Sequence, residues 1–350
     1  MPELTRRRAL QVSGLTAAVA AVPARAAAAA PPRKPRGRID THHHAVPPKM
    51  REWAIEQGIL PPEGGPSWAQ WTLKSTLRIM RANGIAAGVA SAPVPAEIFQ
   101  NRATAVSGVQ VCNESLAELA HDHPTRFGFF ANVAMLHPDL AIQQAAHALD
   151  DLGADGILLN TSADGHYLGD PMFEPLFAEL DRRRAVVFTH PVAPKGIVEV
   201  PLVGDWLADF LLDTTRTALS LIAAGTLDRH PNVSIILSHG GGFLPYMAGR
   251  AERSGREDGG PSPAKIRAAL RRFYYDTALP TSPYATPTLL NAVGTGQVLF
   301  GTDWPANSAR EVIINTRDFD RDPAVDHRAH QAITRDNALR LLPRLAARLK

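Results

Sequence analysis

Short apolar runs alternate with helix-patterned segments along almost the whole chain. Eight runs read as strands, at residues 37–42, 85–90, 127–133, 157–159, 185–188, 233–237, 273–276 and 298–300. Between them, apolar positions at helical spacing predict helices near 73–82, 106–122, 138–152, 173–183, 210–227, 245–253, 263–271 and 284–293. Amphipathic helices close the chain. Residues 45–72, rich in Pro and Trp, and residues 192–208 read as long loops. Regular alternation of strand and helix implies parallel strands joined by crossover helices. Eight such units fit an α/β fold of the closed (β/α)8, TIM-type barrel kind better than an open sheet. No internal repeat is visible. No Gly-x-Gly-x-x-Gly follows the first strand, which counts against a dinucleotide-binding fold.

Composition changes this picture mainly at the N-terminus. Of the 350 residues 45% are hydrophobic, enough to bury a large core. The barrel body has no run of about 18 apolar residues, so no membrane-spanning helix is expected there. The single cysteine, Cys112, excludes an intramolecular disulfide and a Cys-rich metal site. Thr5-Arg6-Arg7-Arg8-Ala9-Leu10 precedes an Ala/Val/Leu stretch and then Ala24-Arg25-Ala26, a small-residue cleavage pattern. This reads as a secretory signal of the twin-arginine type, a route that exports folded proteins. Residues 1–36 are therefore expected to be signal and linker, and 37–350 one barrel domain in the periplasm or outside the cell; the alternative is a basic tail without a signal's function, which leaves the chain in the cytoplasm. Eight of the 37 basic residues and one of the 34 acidic ones lie in the first 38 positions. The remaining 29 basic and 33 acidic residues give the body a net charge of −4. Nothing in that body suggests nucleic-acid binding.

The candidate chemistry lies at the ends of the strands. Asp40-x-His42-x-His44 ends the first, His190 the fifth, His239 the sixth and Asp303 the eighth. Alternate residues of an extended segment point the same way, so His42 and His44 can converge on one ion while His43 turns elsewhere. In a barrel all these strand ends open on one face. Three imidazoles and one carboxylate, His42, His44, His190 and Asp303, suit zinc or another divalent first-row metal, with room left for water or substrate. His121, His123, His137, His147, His230, His327 and His330 are expected at the surface or in capping roles. His166, on a loop after strand four, is a weaker candidate to line the site. Trp53, Trp68, Trp71 and Trp206 are read as wall or loop packing. Trp304, next to Asp303, is the tryptophan best placed to bind substrate.

These residues resemble the amidohydrolase superfamily. Within it they are most similar to the aminocarboxymuconate-semialdehyde decarboxylase-like group, which includes 6-methylsalicylate and γ-resorcylate decarboxylases. The resemblance rests on Ile39-Asp40-Thr41-His42-His43-His44, Phe188-Thr189-His190-Pro191 and Ser238-His239-Gly240-Gly241-Gly242. Phe273-Tyr274-Tyr275-Asp276, Leu299-Phe300-Gly301-Thr302-Asp303-Trp304-Pro305, Asp213-Thr214-Thr215 and Gly249-Arg250 add to it. The resemblance implies that His239 is the catalytic histidine, as general base or as the group that orients water. It implies that Arg250 binds substrate carboxylate in the partner site of a homodimer. Residues 157–162 lack the strand-four lysine of binuclear relatives, which implies a mononuclear site. The implied reaction is non-oxidative decarboxylation of an aromatic, 2-hydroxybenzoate-like acid with release of carbon dioxide. The alternative is metal-dependent hydrolysis of a lactone or amide.

Overall fold

The computed structural model describes residues 37–257, 260–279 and 282–349. The expected signal and linker, residues 1–36, lie outside the described residues. The eight strands are β1 (Arg38–His44), β2 (Ile85–Ser91), β3 (Phe127–Ala131), β4 (Gly156–Asn160), β5 (Val186–His190), β6 (Ser234–Leu237), β7 (Tyr274–Asp276) and β8 (Val298–Leu299). They pair in chain order, each parallel to the next. The ring closes between last and first. Thr41 N–H donates to Phe300 O at 2.9 Å, Asp303 N–H to His42 O at 2.9 Å and His44 N–H to Trp304 O at 2.6 Å. The expected barrel is therefore present.

Side chains alternate between the barrel axis and the helical layer. Ile39, Ala87, Val89, Phe130, Leu158, Phe188, Ile236 and Leu299 form one cluster inside the ring. Their strand neighbours Ala90, Phe129, Ala131, Ile157, Leu159, Val187, Ile235, Leu237 and Phe300 pack outward, into the larger core under the helices. Ala338, Leu341, Leu342 and Leu345 from the C-terminal helices close the lower mouth against the inner cluster. There Arg38, fully buried, makes a two-pronged bond to Asp320 at 2.6 and 2.7 Å. Burial of a guanidinium requires such pairing.

Three segments depart from expectation. Residues 45–72 contain a helix, α1 (Pro48–Glu56), which buries Met50, Trp53 and Ala54 at helical spacing. Its proline sits in the first turn, where the missing N–H costs nothing; read as a loop former, that proline hid the helix. The helix expected at 210–227 begins earlier, at Asp205, and ends at Ala224, because Gly225 adopts φ +73° and terminates it. Helix Ala248–Glu257 starts three residues later than expected. Helices Leu73–Ala82, Arg102–Asp122, Pro138–Asp150 and Glu174–Arg182 agree with the pattern to within about four residues at either end.

Candidate active site

The phase of β1 builds the site. Asp40 lies opposite Gly88 while His43 lies opposite Ala90, so three steps on β1 face two on β2. This bulge inserts one residue and re-aims the side chains beyond it. His44 then pairs with Ser91, and His42 and His44 face the axis. His43 turns outward, as expected, with its ring against Gly88 and Nδ1 2.9 Å from Asp40 Oδ2. Gly301 is required on the other side, since a Cβ there would lie 2.7 Å from His42 Cβ.

His42, His44, His190 and Asp303 converge as expected, all buried, with one ligand atom each and every pair within 4.8 Å. The tautomers follow from the partners. His42 Nδ1 lies 2.8 Å from Asp276 Oδ2, and His190 Nδ1 3.0 Å from Pro191 O, both acceptors. Ser91 Oγ donates to His43 O, so it accepts from His44 Nδ1 at 2.9 Å. In their neutral forms all three imidazoles therefore carry hydrogen on Nδ1, which leaves the three Nε2 atoms to serve as ligand atoms. His42 Nε2 and His44 Nε2 are 3.2 Å apart, and they lie 3.3 and 3.0 Å from Asp303 Oδ1. Acceptors held this close in a buried space repel one another unless positive charge, a metal ion or a proton on His42, lies among them. Tetrahedral zinc bonds of about 2.1 Å would set ligand atoms about 3.4 Å apart. The donor set fits one divalent ion.

The electrostatics agree. Burial works against a charged His42, but Asp276 and Asp303 outweigh it and push its pKa up to about 10. His44 and His190 are lowered, chiefly by burial and by neighbouring imidazoles. Burial also opposes ionisation of Asp303, yet the neighbouring His42, His239 and His44 rings hold it well below the usual carboxylate range. The site holds Asp303 ionised and calls for positive charge.

His239 stands beside this group, its ring centroid 4.9 Å from that of His42 and Nε2 3.8 Å from Asp303 Oδ2. Both ring nitrogens are buried and have no hydrogen-bond partner among the described residues. His239 and Asp303 have φ of +53° and +59°, a backbone region that non-glycine residues seldom adopt. Two carboxylates hold them there. Asp276 Oδ1 accepts from His239 N–H at 2.9 Å and Ala278 N–H at 3.0 Å. Asp40 accepts from Thr302 N–H at 3.0 Å and Thr302 Oγ1 at 2.6 Å, anchoring the residue before Asp303. Sequence reasoning assigned no role to Asp276, although its place at the end of the seventh strand was a signal. Asn160 ends β4, and no lysine lies on that strand.

Other candidates lie elsewhere. Trp304, expected against substrate, donates its indole N–H to Thr76 at 3.0 Å and packs on Ile79 and Val312 in the helical layer. Arg250 is exposed on the first turn of helix Ala248–Glu257 and is not one of the four converging residues. His166 is exposed and bonds Asp170. Trp53 and Trp71 are buried, and Trp68 and Trp206 are exposed. His230 is buried against Glu174, at 2.8 Å, rather than at the surface. Cys112 is buried, which pushes its thiol up to about 12. Among the described residues, no helix is long and apolar enough to cross a membrane.

An eight-stranded parallel barrel with a buried three-imidazole, one-carboxylate centre at its C-terminal mouth defines a class of metal-dependent enzymes. The chain belongs to the amidohydrolase family, whose model, described as "Amidohydrolase", matches residues 39–344. It is 36% identical to decarboxylase yanB of Aspergillus niger, over 88% of each chain. It is 34% identical to the 6-methylsalicylic acid decarboxylase of Penicillium expansum, over 88% of this chain and 97% of that one. Among solved structures it resembles 2,6-dihydroxybenzoate decarboxylase in complex with 2,6-dihydroxybenzoate. That match has a TM-score of 0.74 and 25% identity, and covers 88% of this chain and 100% of that one.

Proposed function

We propose that this protein is a metal-dependent, non-oxidative decarboxylase of 2-hydroxybenzoate-like acids. The reading is carried by the pre-set His42, His44, His190 and Asp303 centre with His239 unpartnered beside it. Similarity over 88% of the chain to decarboxylase yanB and to a 6-methylsalicylic acid decarboxylase supports it. Zinc suits the donor set, and manganese is the alternative.

When bound, the ion supplies Lewis-acid binding of the substrate carboxylate and its ortho oxygen and stabilises developing negative charge. Asp303 delivers a proton to the ring carbon that bears the carboxylate. The C–C bond then breaks, its electron pair restores the aromatic ring, and carbon dioxide leaves. The arriving anion raises the proton affinity of Asp303 above that of the ligand-free site. Asp303 takes up that proton before each turnover from solvent by way of His239 Nε2, 3.8 Å from its Oδ2.

Two further parts of the reading stand on sequence. The twin-arginine leader would export the folded, ion-loaded chain, which the N-terminal mass of secreted protein tests. Arg250 would reach the partner's substrate in a homodimer. Mixing Arg250→Ala and Asp303→Asn chains tests this, since only a shared site regains activity on mixing.

The function is tested by loading the chain with zinc or manganese and measuring carbon dioxide release from a panel of 2-hydroxybenzoates, with lactones and amides in parallel. Release from at least one acid is expected, falling by about 10²-fold or more in Asp303→Asn. Turnover of a lactone or amide without carbon dioxide would replace this reading with hydrolysis.

A further inference from the structure

The layer structure of the barrel places over the centre polar side chains that have no part in holding the ion, Asn160 at the end of β4 and Asn132 just beyond β3. Phe130 on β3 and Phe188 on β5 both face the axis, and their rings stack at 5.2 Å. Phe188 in turn lies edge-on to His42 at 4.9 Å, so these rings form the layer directly beneath the metal ligands. Two residues further along β5 comes His190, on the same face and one layer nearer the mouth. Two residues beyond Phe130 comes Asn132, which by the same alternation faces the same space. Its flanking residues Ala131 and Val133 pack outward into the helical core, which confirms the phase.

Asn132 is only 2% exposed, and its Nδ2 has no hydrogen-bond partner among the described residues. A buried amide without a partner is destabilising unless something fills the gap. Its main chain, by contrast, is doubly fixed by Asn113. Asn132 N–H donates to Asn113 Oδ1 at 2.8 Å, and Asn113 Nδ2 donates to Asn132 O at 2.9 Å. A rigidly held backbone carrying an unused donor into a binding site is a pre-organised contact.

We propose that the Asn132 amide is a specificity-determining contact that donates to a second oxygen on the aromatic ring. That oxygen is distinct from the carboxylate and ortho oxygen at the ion. The preferred substrates are then 2-hydroxybenzoates carrying a further ring hydroxyl on the side facing β3. The metal ligands come from β1, β5 and the segment after β8, so β3 meets the part of the ring that the ion does not hold. This inference rests on the decarboxylase reading for the identity of the ring. The donor itself is independent of it.

The test compares 2-hydroxybenzoate with its dihydroxy isomers on the zinc- or manganese-loaded chain. Binding is read by calorimetry and carbon dioxide release in the same samples. At least one dihydroxy isomer should bind more tightly than the parent. Asn132→Leu, close in volume, should weaken that isomer about tenfold while leaving the parent within about twofold and metal content unchanged. Asn132→Asp, which cannot donate when ionised, should lose the same preference. Equal weakening of parent and isomer, no weakening, or no binding of any isomer would overturn the assignment. Selective weakening without carbon dioxide release from wild type would sink the decarboxylase reading and leave Asn132 standing. Release without selective weakening would do the reverse.

Discussion

Replacing Asp276 by asparagine should loosen the metal while touching none of its ligands. Asp276 is fully buried and accepts three hydrogen bonds, two from backbone N–H groups on Oδ1 and one from His42 on Oδ2. An asparagine can keep its oxygen toward only one of these sides. Two N–H groups outvote one imidazole, so the new NH2 faces His42 Nδ1 and forces that ring to accept there. The hydrogen of His42 then moves to Nε2, the atom that must offer a lone pair to the ion. Loss of such an outer partner typically costs 10–100-fold in metal affinity, about 1.4–2.7 kcal/mol. A charge-assisted hydrogen bond of about 1.5–3 kcal/mol falls in the same range. Competition with a chromophoric chelator measures the zinc affinity of each chain directly. A wild-type affinity in a folded Asp276→Asn protein would refute the tautomer argument.

Three other outcomes rest on the same contacts. His239→Gln should keep its metal, since the ring is not among the ligands, but lose about 10²–10⁴-fold in turnover; metal analysis beside a rate assay separates the two effects. Asp40→Ala leaves buried donors on His43 and Thr302 unsatisfied and should cost on the order of 3–5 kcal/mol in urea unfolding. A loss below about 1 kcal/mol would contradict that role. Free metal at about 100 times its dissociation constant should stabilise the stripped chain by about 2.7 kcal/mol, seen as a rise in Tm that a chelator reverses.

The sequence carried the barrel and the centre for a physical reason. Ligands at strand ends interrupt apolar runs, so His190, His239 and Asp303 stood out where strands stop. His42 and His44 were paired by alternation alone. Which way the pair faces was not legible, because it depends on the bulge between Asp40 and His43, set by pairing with β2. Asp276 was visible as the last residue of a strand, but its partners His42 and His239 come from two other strands. Trp304 was misplaced because adjacency in sequence says little across a strand end. Its neighbour Asp303 faces the centre, whereas the indole goes to Thr76. Helix Pro48–Glu56 was hidden by its proline, though the spacing of Met50, Trp53 and Ala54 announced it.

The central claim is that one ion held by His42, His44, His190 and Asp303 drives decarboxylation. The direct measurement is carbon dioxide release from a 2-hydroxybenzoate by the loaded chain, the chelator-stripped chain and the stripped chain titrated with zinc or manganese. Release should stop on stripping and return in full at one equivalent of metal per chain. Release that survives stripping, or that needs two equivalents, would contradict a mononuclear metal-dependent site.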